Sequence, residues 1–184
     1  MMFKISFVVV LAFLISGCTT FSIDTTNGKN ANLVFGYIDM SDTGQALNRV
    51  MIVQEGGSHL ESQSEMNVYT DGLFYMDNVA PGKFYIPSFE GQVWLFDPTG
   101  YEFQKPKDAF TLHGGDLFYV GTYKVKISTG EKVEKLFLGL ADASIIPIKQ
   151  PSMQTLLKWL KKDISNPYLK KKIDEVLKSD ATGH

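Results

Sequence analysis

Apolar residues along this chain recur in short runs rather than in long stripes. From residue 33 to about 137 the runs are LVFGYID (33–39), RVMIVQ (49–54), MNVYT (66–70), LFYMDNV (73–79) and KFYIPSF (83–89), followed by QVWLF (92–96), YEFQ (101–104), LFYVGTYKV (117–125) and KVEKLFLGL (132–140). Aromatic and β-branched residues dominate them, and such side chains suit a pleated, half-buried backbone. Gly, Pro, Asn, Asp and Ser separate the runs, as turns demand. Many short strands without intervening helical stripes predict a mainly β fold, an antiparallel sandwich of about seven to nine strands. Two connections read as turns. In Asp97-Pro98-Thr99-Gly100, proline presets φ at the second position of a type I turn. In Ala80-Pro81-Gly82-Lys83, Pro-Gly fits the centre of a type II turn. Both predict hairpins.

The pattern changes between Pro147 and Pro151. Met153, Leu156, Leu157, Leu160 and Ile164 fall at helical spacing behind Ser152, a good N-cap residue. A second stripe, Leu169, Ile173, Val176 and Leu177, follows Asn166-Pro167, a cap with proline at the first helical position. Two short amphipathic helices of this length are not stable alone and must pack on something. Val93 and Leu95 alternate with Trp94 and Phe96, and 117–123 is apolar on both faces. Strands needing cover on both faces call for a third layer. Three readings stay open: the helices dock on the outer face of one sheet; Trp94, Phe96, Tyr101 and Phe103 form an exposed partner patch; or the basic helical faces lie on anionic headgroups.

The first seventeen residues have a different logic. One lysine precedes an apolar run, 5–15, interrupted only by Ser6, and two small residues follow. Eleven residues are too few to cross a ~30 Å hydrocarbon layer, and the layout is that of a secretory signal peptide. Ile15-Ser16-Gly17-Cys18 resembles the bacterial lipobox, and Cys18 is the single cysteine of the chain. The resemblance implies cleavage before Cys18 and a diacylglyceryl thioether on its sulfur, often with a further acyl chain on the new amino group. Two or three chains make a durable membrane anchor where one does not. Thr19, rather than an acidic residue, follows the cysteine; in a host with two membranes the lipoprotein sorting pattern then favours the outer one. The expected organisation is a signal peptide at 1–17, a lipidated polar tether at 18–32, a β-sandwich at 33–146 and a helical extension at 147–184.

Charge narrows the partners. Without the first seventeen residues the chain keeps 17 basic and 20 acidic residues, and Arg49 is its only arginine. Nucleic-acid binding usually shows as a basic surplus rich in arginine, so it is not expected. The partners expected are membrane lipid, through acylated Cys18, and an envelope protein or glycan.

The segment YTDGLFYMDNVAPGKFYI (69–86) resembles a signature of carboxypeptidase-regulatory-like and transthyretin-like domains. Asp71-Gly72, Phe74, Pro81-Gly82 and Tyr85 occupy its turn and aromatic positions, and LHGGDLFYVGTYKV (112–125) is similar to the closing strand of small prealbumin-like lipoprotein domains. The resemblance implies a prealbumin-like sandwich and a non-catalytic structural or binding module, with no shared catalytic residues to carry over. The long loop 55–65 and the terminal helices depart from that module.

Candidate chemistry is sparse. Ser58-His59-Leu60-Glu61 places three triad residue types side by side, but loop neighbours rarely point at one another as a triad requires. His113 beside Gly114-Gly115-Asp116 suits an exposed turn as well as an acid–base role. With His184 there are three histidines, and none has zinc-ligand spacing. Asp71, Asp77, Asn78 and Asp97 have no calcium-loop spacing and sit where turns favour Asp and Asn. STGEK (128–132) lacks the glycine spacing of a P-loop. No catalytic residue, cofactor or metal site is therefore assigned. The expected function is a non-enzymatic, lipid-anchored envelope module; the alternative is an envelope hydrolase or carbohydrate-active enzyme using the His59/His113 region.

Overall fold

The computed structural model describes residues 22–56, 61–92, 99–102, 109–127 and 143–182. Among them are eleven strands: β1 (Asn32–Asp39), β2 (Ala46–Glu55), β3 (Glu61–Glu65), β4 (Asn67–Val68), β5 (Leu73–Val79), β6 (Gly82–Tyr85), β7 (Ser88–Gln92), β8 (Thr99–Glu102), β9 (Phe110–Leu112), β10 (Leu117–Ile127) and β11 (Ala143–Pro147). Two helices follow, α1 (Met153–Leu160) and α2 (Pro167–Thr182). The count exceeds seven to nine partly because one expected strand, 83–89, is split at Ile86-Pro87 into β6 and β7. A proline cannot donate to the ladder, so it interrupts the strand. Three further strands, β3, β9 and β11, lie where no apolar run of useful length marks them. The runs expected at 92–96 and 132–140, and STGEK, fall largely or wholly outside the described residues.

The strands form two sheets. The first has the order β11-β10-β1-β5-β4. In the second, β2 pairs with β7 through its first half and with β6 and β3 through its second, while β8 and β9 extend β7 and β6. Pairing is antiparallel except between β1 and β10, where Leu33 lies opposite Leu117 and Asp39 opposite Lys124 in a parallel ladder.

Val34, Ile38, Phe74, Val50, Ile52, Phe84 and Phe89 pack between the sheets. Leu33, Phe35 and Leu73, from the opposite face of the first sheet, pack with Leu156, Leu157, Leu160, Ile164, Leu169 and Ile173 of the helical region. β1 and β5 are thus buried on both faces, and the helices supply the third layer that the doubly apolar strands require. Phe74 and Met76 face the same core, as their alternation predicts. Gly36 makes room in this arrangement: a Cβ there would stand 2.5 Å from the Phe74 ring and 2.9 Å from the Gly121 carbonyl oxygen.

The turns divide into one agreement, one shift and one correction. Asp71-Gly72 closes the β4–β5 hairpin, with the Leu73 N–H donating to the Asp71 carboxylate and Gly72 at φ +107°. β7 and β8 form a hairpin, but Thr99 and Gly100, expected in its turn, already belong to β8 opposite Gly91 and Glu90, and Ser88–Gln92 rather than 92–96 is the described part of its first strand. Ala80-Pro81 does not make a hairpin. β5 belongs to the first sheet and β6 to the second, so this connection carries the chain across the sandwich.

The expected tether is also corrected. Ile23 joins the inter-sheet core at 3% exposure. Asp24 and Gln54 exchange two hydrogen bonds, from the Asp24 N–H (2.8 Å) and from the Gln54 Nε2 (2.9 Å). Thr25 bridges Val79 and the Thr26 N–H donates to the Asn78 carbonyl, alongside β5 beyond the reach of the two-residue β4. A 3-10 turn, Gly28–Asn30, then leads to buried Ala31 and β1. The segment lacks a hydrophobic period because backbone and side-chain hydrogen bonds, more than apolar burial, hold it.

Candidate functional site

Among the described residues, those singled out in the sequence do not assemble into a reacting centre. His113 is 78% exposed on the turn before β10, with its Nδ1 3.5 Å from Asp116 Oδ2. Asp116 also accepts from the His113 backbone N–H at 2.7 Å, while Asn32 Oδ1 accepts from the Gly114 and Asp116 N–H groups. Asn32, fully buried, donates its own amide to the Val79 carbonyl at 2.9 Å. This network fixes a turn. His59 and His184, the partners that an imidazole-based site would need, lie outside the described residues, as do Cys18, Ser58, Asp97, Trp94, Phe96 and Phe103.

Tyr101 is the described member of the expected aromatic patch, and it is 6% exposed. Its ring stacks on Phe89 at 5.1 Å and its hydroxyl donates to Gln45 Oε1 at 2.7 Å. Burial pushes that hydroxyl up to about 12. Tyr101 is a core residue and is withdrawn from the patch; alternation along β8 turns it inward. Asp71, Asp77 and Asn78 do local work. Asp77 lies beneath the α1–α2 connection, where burial raises its carboxyl above the usual range, partly offset by its own backbone N–H and that of Ser165. Asn78 adopts φ +58°, a left-handed conformation that asparagine tolerates better than most residues. Among the described residues no group of three or more His, Cys, Asp or Glu side chains is placed to hold a metal ion.

The chemistry that stands out on the surface belongs to the helical layer. Ser152 caps α1 by accepting from the Thr155 N–H. Asn166 caps α2 by accepting from the Tyr168 N–H (2.9 Å) and the Leu169 N–H (3.4 Å). Its Nδ2 donates to Asn78 Oδ1 (2.9 Å) and to the Gly28 carbonyl (3.3 Å), tying α2 to the sheet and to the N-terminal segment at once. With the leucines turned inward, helical geometry leaves Lys158, Trp159, Lys162, Tyr168, Lys171 and Lys172 exposed. Trp159 is 42% and Tyr168 56% exposed, and the remaining large exposed apolar side chain among the described residues is Tyr69, at 37%. Tyr69 stacks on Tyr75 at 6.0 Å. Burial, then hydrogen bonding to Asp163 and Tyr75, holds its hydroxyl well above the ordinary tyrosine value. All three exposed aromatics therefore belong to the helical layer or touch its connecting loop.

Sequence reading centred the aromatic surface on 92–104 and missed this one. The signal was present: Trp159 and Tyr168 fall off the apolar stripes of their helices and among lysines. A second charged cluster, Lys124 Nζ with Asp42 (2.8 Å) and Asp39 (3.4 Å), joins β10 to β1. Burial of Asp39 opposes ionisation, but hydrogen bonds to Ser41 and the nearby Lys124 outweigh it and hold its carboxyl below the usual range. That cluster sets one lysine against two carboxylates and keeps a net negative charge. No helix among the described residues is long and apolar enough to cross a membrane.

No protein-family model matches the sequence, and no curated protein matches it. Among solved structures, the chain is similar to that of a candidate cell adhesion protein from Bacteroides fragilis, with 11% identity and a TM-score of 0.35. The alignment covers 65% of this chain and 46% of that one, so the chain spans less than half the length of that neighbour.

Proposed function

We propose that the protein is a lipid-anchored module of the bacterial cell envelope, non-catalytic, held through acylated Cys18 in the outer membrane and binding another envelope component. The observation that carries this reading is the spacing between the lipobox-like Ile15-Ser16-Gly17-Cys18 and the first residue packed among those described. Ile23 is already in the core, five residues beyond Cys18. Five extended residues reach at most about 18 Å, so acyl chains on Cys18 hold the domain directly against the bilayer surface. The exposed, self-contained His113–Asp116 turn supplies no observation that favours the hydrolase alternative. Intact-mass measurement of protein extracted from membranes tests the anchor. The expected mass is that of a chain beginning at Cys18 plus two or three acyl chains, and Cys18→Ser carries no acyl mass and is released from the membrane fraction at high salt. A mature chain with unmodified Cys18 would overturn the reading.

A further inference from the structure

The basic aromatic face of the helices adjoins the N-terminal segment at Gly28, while Ile23 and Asp24, nearer the expected anchor, bond to Ser64 and Gln54 of the second sheet. Thr26 bonds to Asn78, Asn78 bonds to Asn166, and Asn166 bonds to Gly28. The N-terminal segment is therefore fixed beside the first turn of α2, two residues from exposed Tyr168. Charge is divided unevenly over the molecule. Between 152 and 182 there are seven lysines against four carboxylates, whereas the rest of the chain carries eleven basic and sixteen acidic residues. Lys161 is paired with Asp174 at 2.6 Å, and Lys171 lies 3.9 Å from Glu175. Lys158 and Lys162 flank Trp159 on α1 and the turn after it, and Lys172 stands one helical turn beyond Tyr168 on α2.

We infer that this outer face of the helical layer docks on the anionic lipid surface to which the chain is tethered, an inference that rests on the reading of Cys18 as the lipid-bearing residue. Its parts match what such a surface recognises. Tryptophan and tyrosine settle at the level of the headgroups, with the ring in the apolar boundary and the polar edge in water. Lysines beside them gain from the negative surface potential, and the gain decays within a Debye length. The inner faces of both helices are occupied by the sheet, so the helices lie on the surface without inserting. The protein then stands on its helical layer, with the acidic remainder of the sandwich turned away from the membrane.

The test uses the chain from residue 18 onward with Cys18→Ser, which retains every described residue and has no acyl group. Its binding to phosphatidylglycerol–phosphatidylcholine vesicles is compared with binding to pure phosphatidylcholine vesicles. Binding to the anionic vesicles, lost at high salt, is expected. At about fivefold per lysine, Lys158→Gln, Lys162→Gln and Lys172→Gln together weaken it roughly 100-fold. Lys83→Gln, on the second sheet, leaves it unchanged. In a Trp94→Phe background, Trp159 fluorescence shifts to the blue on anionic vesicles. Equal binding to both vesicle types, no binding, or an undiminished triple variant would each overturn the inference. These results leave the anchor untouched, because that is read separately from the mass at Cys18.

Discussion

Asn166 is the most informative single position, because its two ends do separable work. The Oδ1 caps α2, and the Nδ2 ties that cap to Asn78 and Gly28. The residue is 6% exposed, so little water replaces a lost partner. Loss of an N-cap costs about 1 kcal/mol. Leaving two half-buried acceptors without their donor adds about 1–2 kcal/mol, less than for fully buried groups because Gly28 and Asn78 retain some solvent contact. Asn166→Ala therefore destabilises by roughly 2–3 kcal/mol, a fall in Tm of about 5–10 °C for a domain of this size. Asn166→Ser keeps a capping oxygen but has no amide to donate, so it recovers about 1 kcal/mol of that loss. Urea unfolding of the three proteins, with an unchanged slope, gives the two contributions by difference. Hydrogen exchange at the Tyr168 and Leu169 amides then reports the cap directly. The reasoning fails if serine and alanine behave alike, or if both variants stay within about 0.5 kcal/mol of the parent.

Other positions give independent checks. Gly36→Ala places a methyl against the Phe74 ring and the Gly121 carbonyl, and overpacking there costs about 1–3 kcal/mol in denaturant unfolding. Tyr101→Phe leaves Gln45 Oε1 without its buried donor and lowers stability by about 1–2 kcal/mol, with no change in vesicle binding. Leu160→Ala, at the interface of helix and sheet, costs about 2–5 kcal/mol and unfolds the helices and the sheet in one transition; separate transitions would show the layers to be uncoupled. Asp77 has a raised folded carboxyl value, so its ionised form is disfavoured in the fold and its burial costs stability above the unfolded value of 3.8. Asp77→Asn removes that cost, so its Tm relative to the parent is higher at neutral pH than at pH values below 3.8, and a pH-independent difference would contradict the assignment.

Strands with large apolar side chains were legible from sequence because their alternation states which face is buried. β5 is read to the residue from LFYMDNV, and the doubly apolar stretch 117–123 of β10 announced the helical cover. β3, with the sequence ESQSE, was not legible. Its only marked partner is β2, and it carries no apolar side chain that could report burial. The parallel β1–β10 pairing was equally silent, since period and turn chemistry describe neighbours in sequence and this ladder joins distant segments. The inward turn of Tyr101 was not legible for a related reason. Aromatic content locates rings, but only helical phase and three-dimensional packing separate Tyr101, turned into the core, from Trp159 and Tyr168, turned out.

The central place of β1 has a consequence for the order in which the protein can be made. β1 is the first strand among the described residues, yet one of its two neighbours in the sheet is β10, about 84 residues further along, and its outward face is covered by α1 and α2, further still. Contacts of such separation form slowly and late. A chain emerging from its N-terminus therefore presents Leu33 and Phe35 uncovered until the last fifth of the sequence arrives. Any modification or tethering of the N-terminus precedes completion of the fold, and chains stopped before Leu117 are expected to remain protease-sensitive. Such a fold stays open until α2 closes over β1.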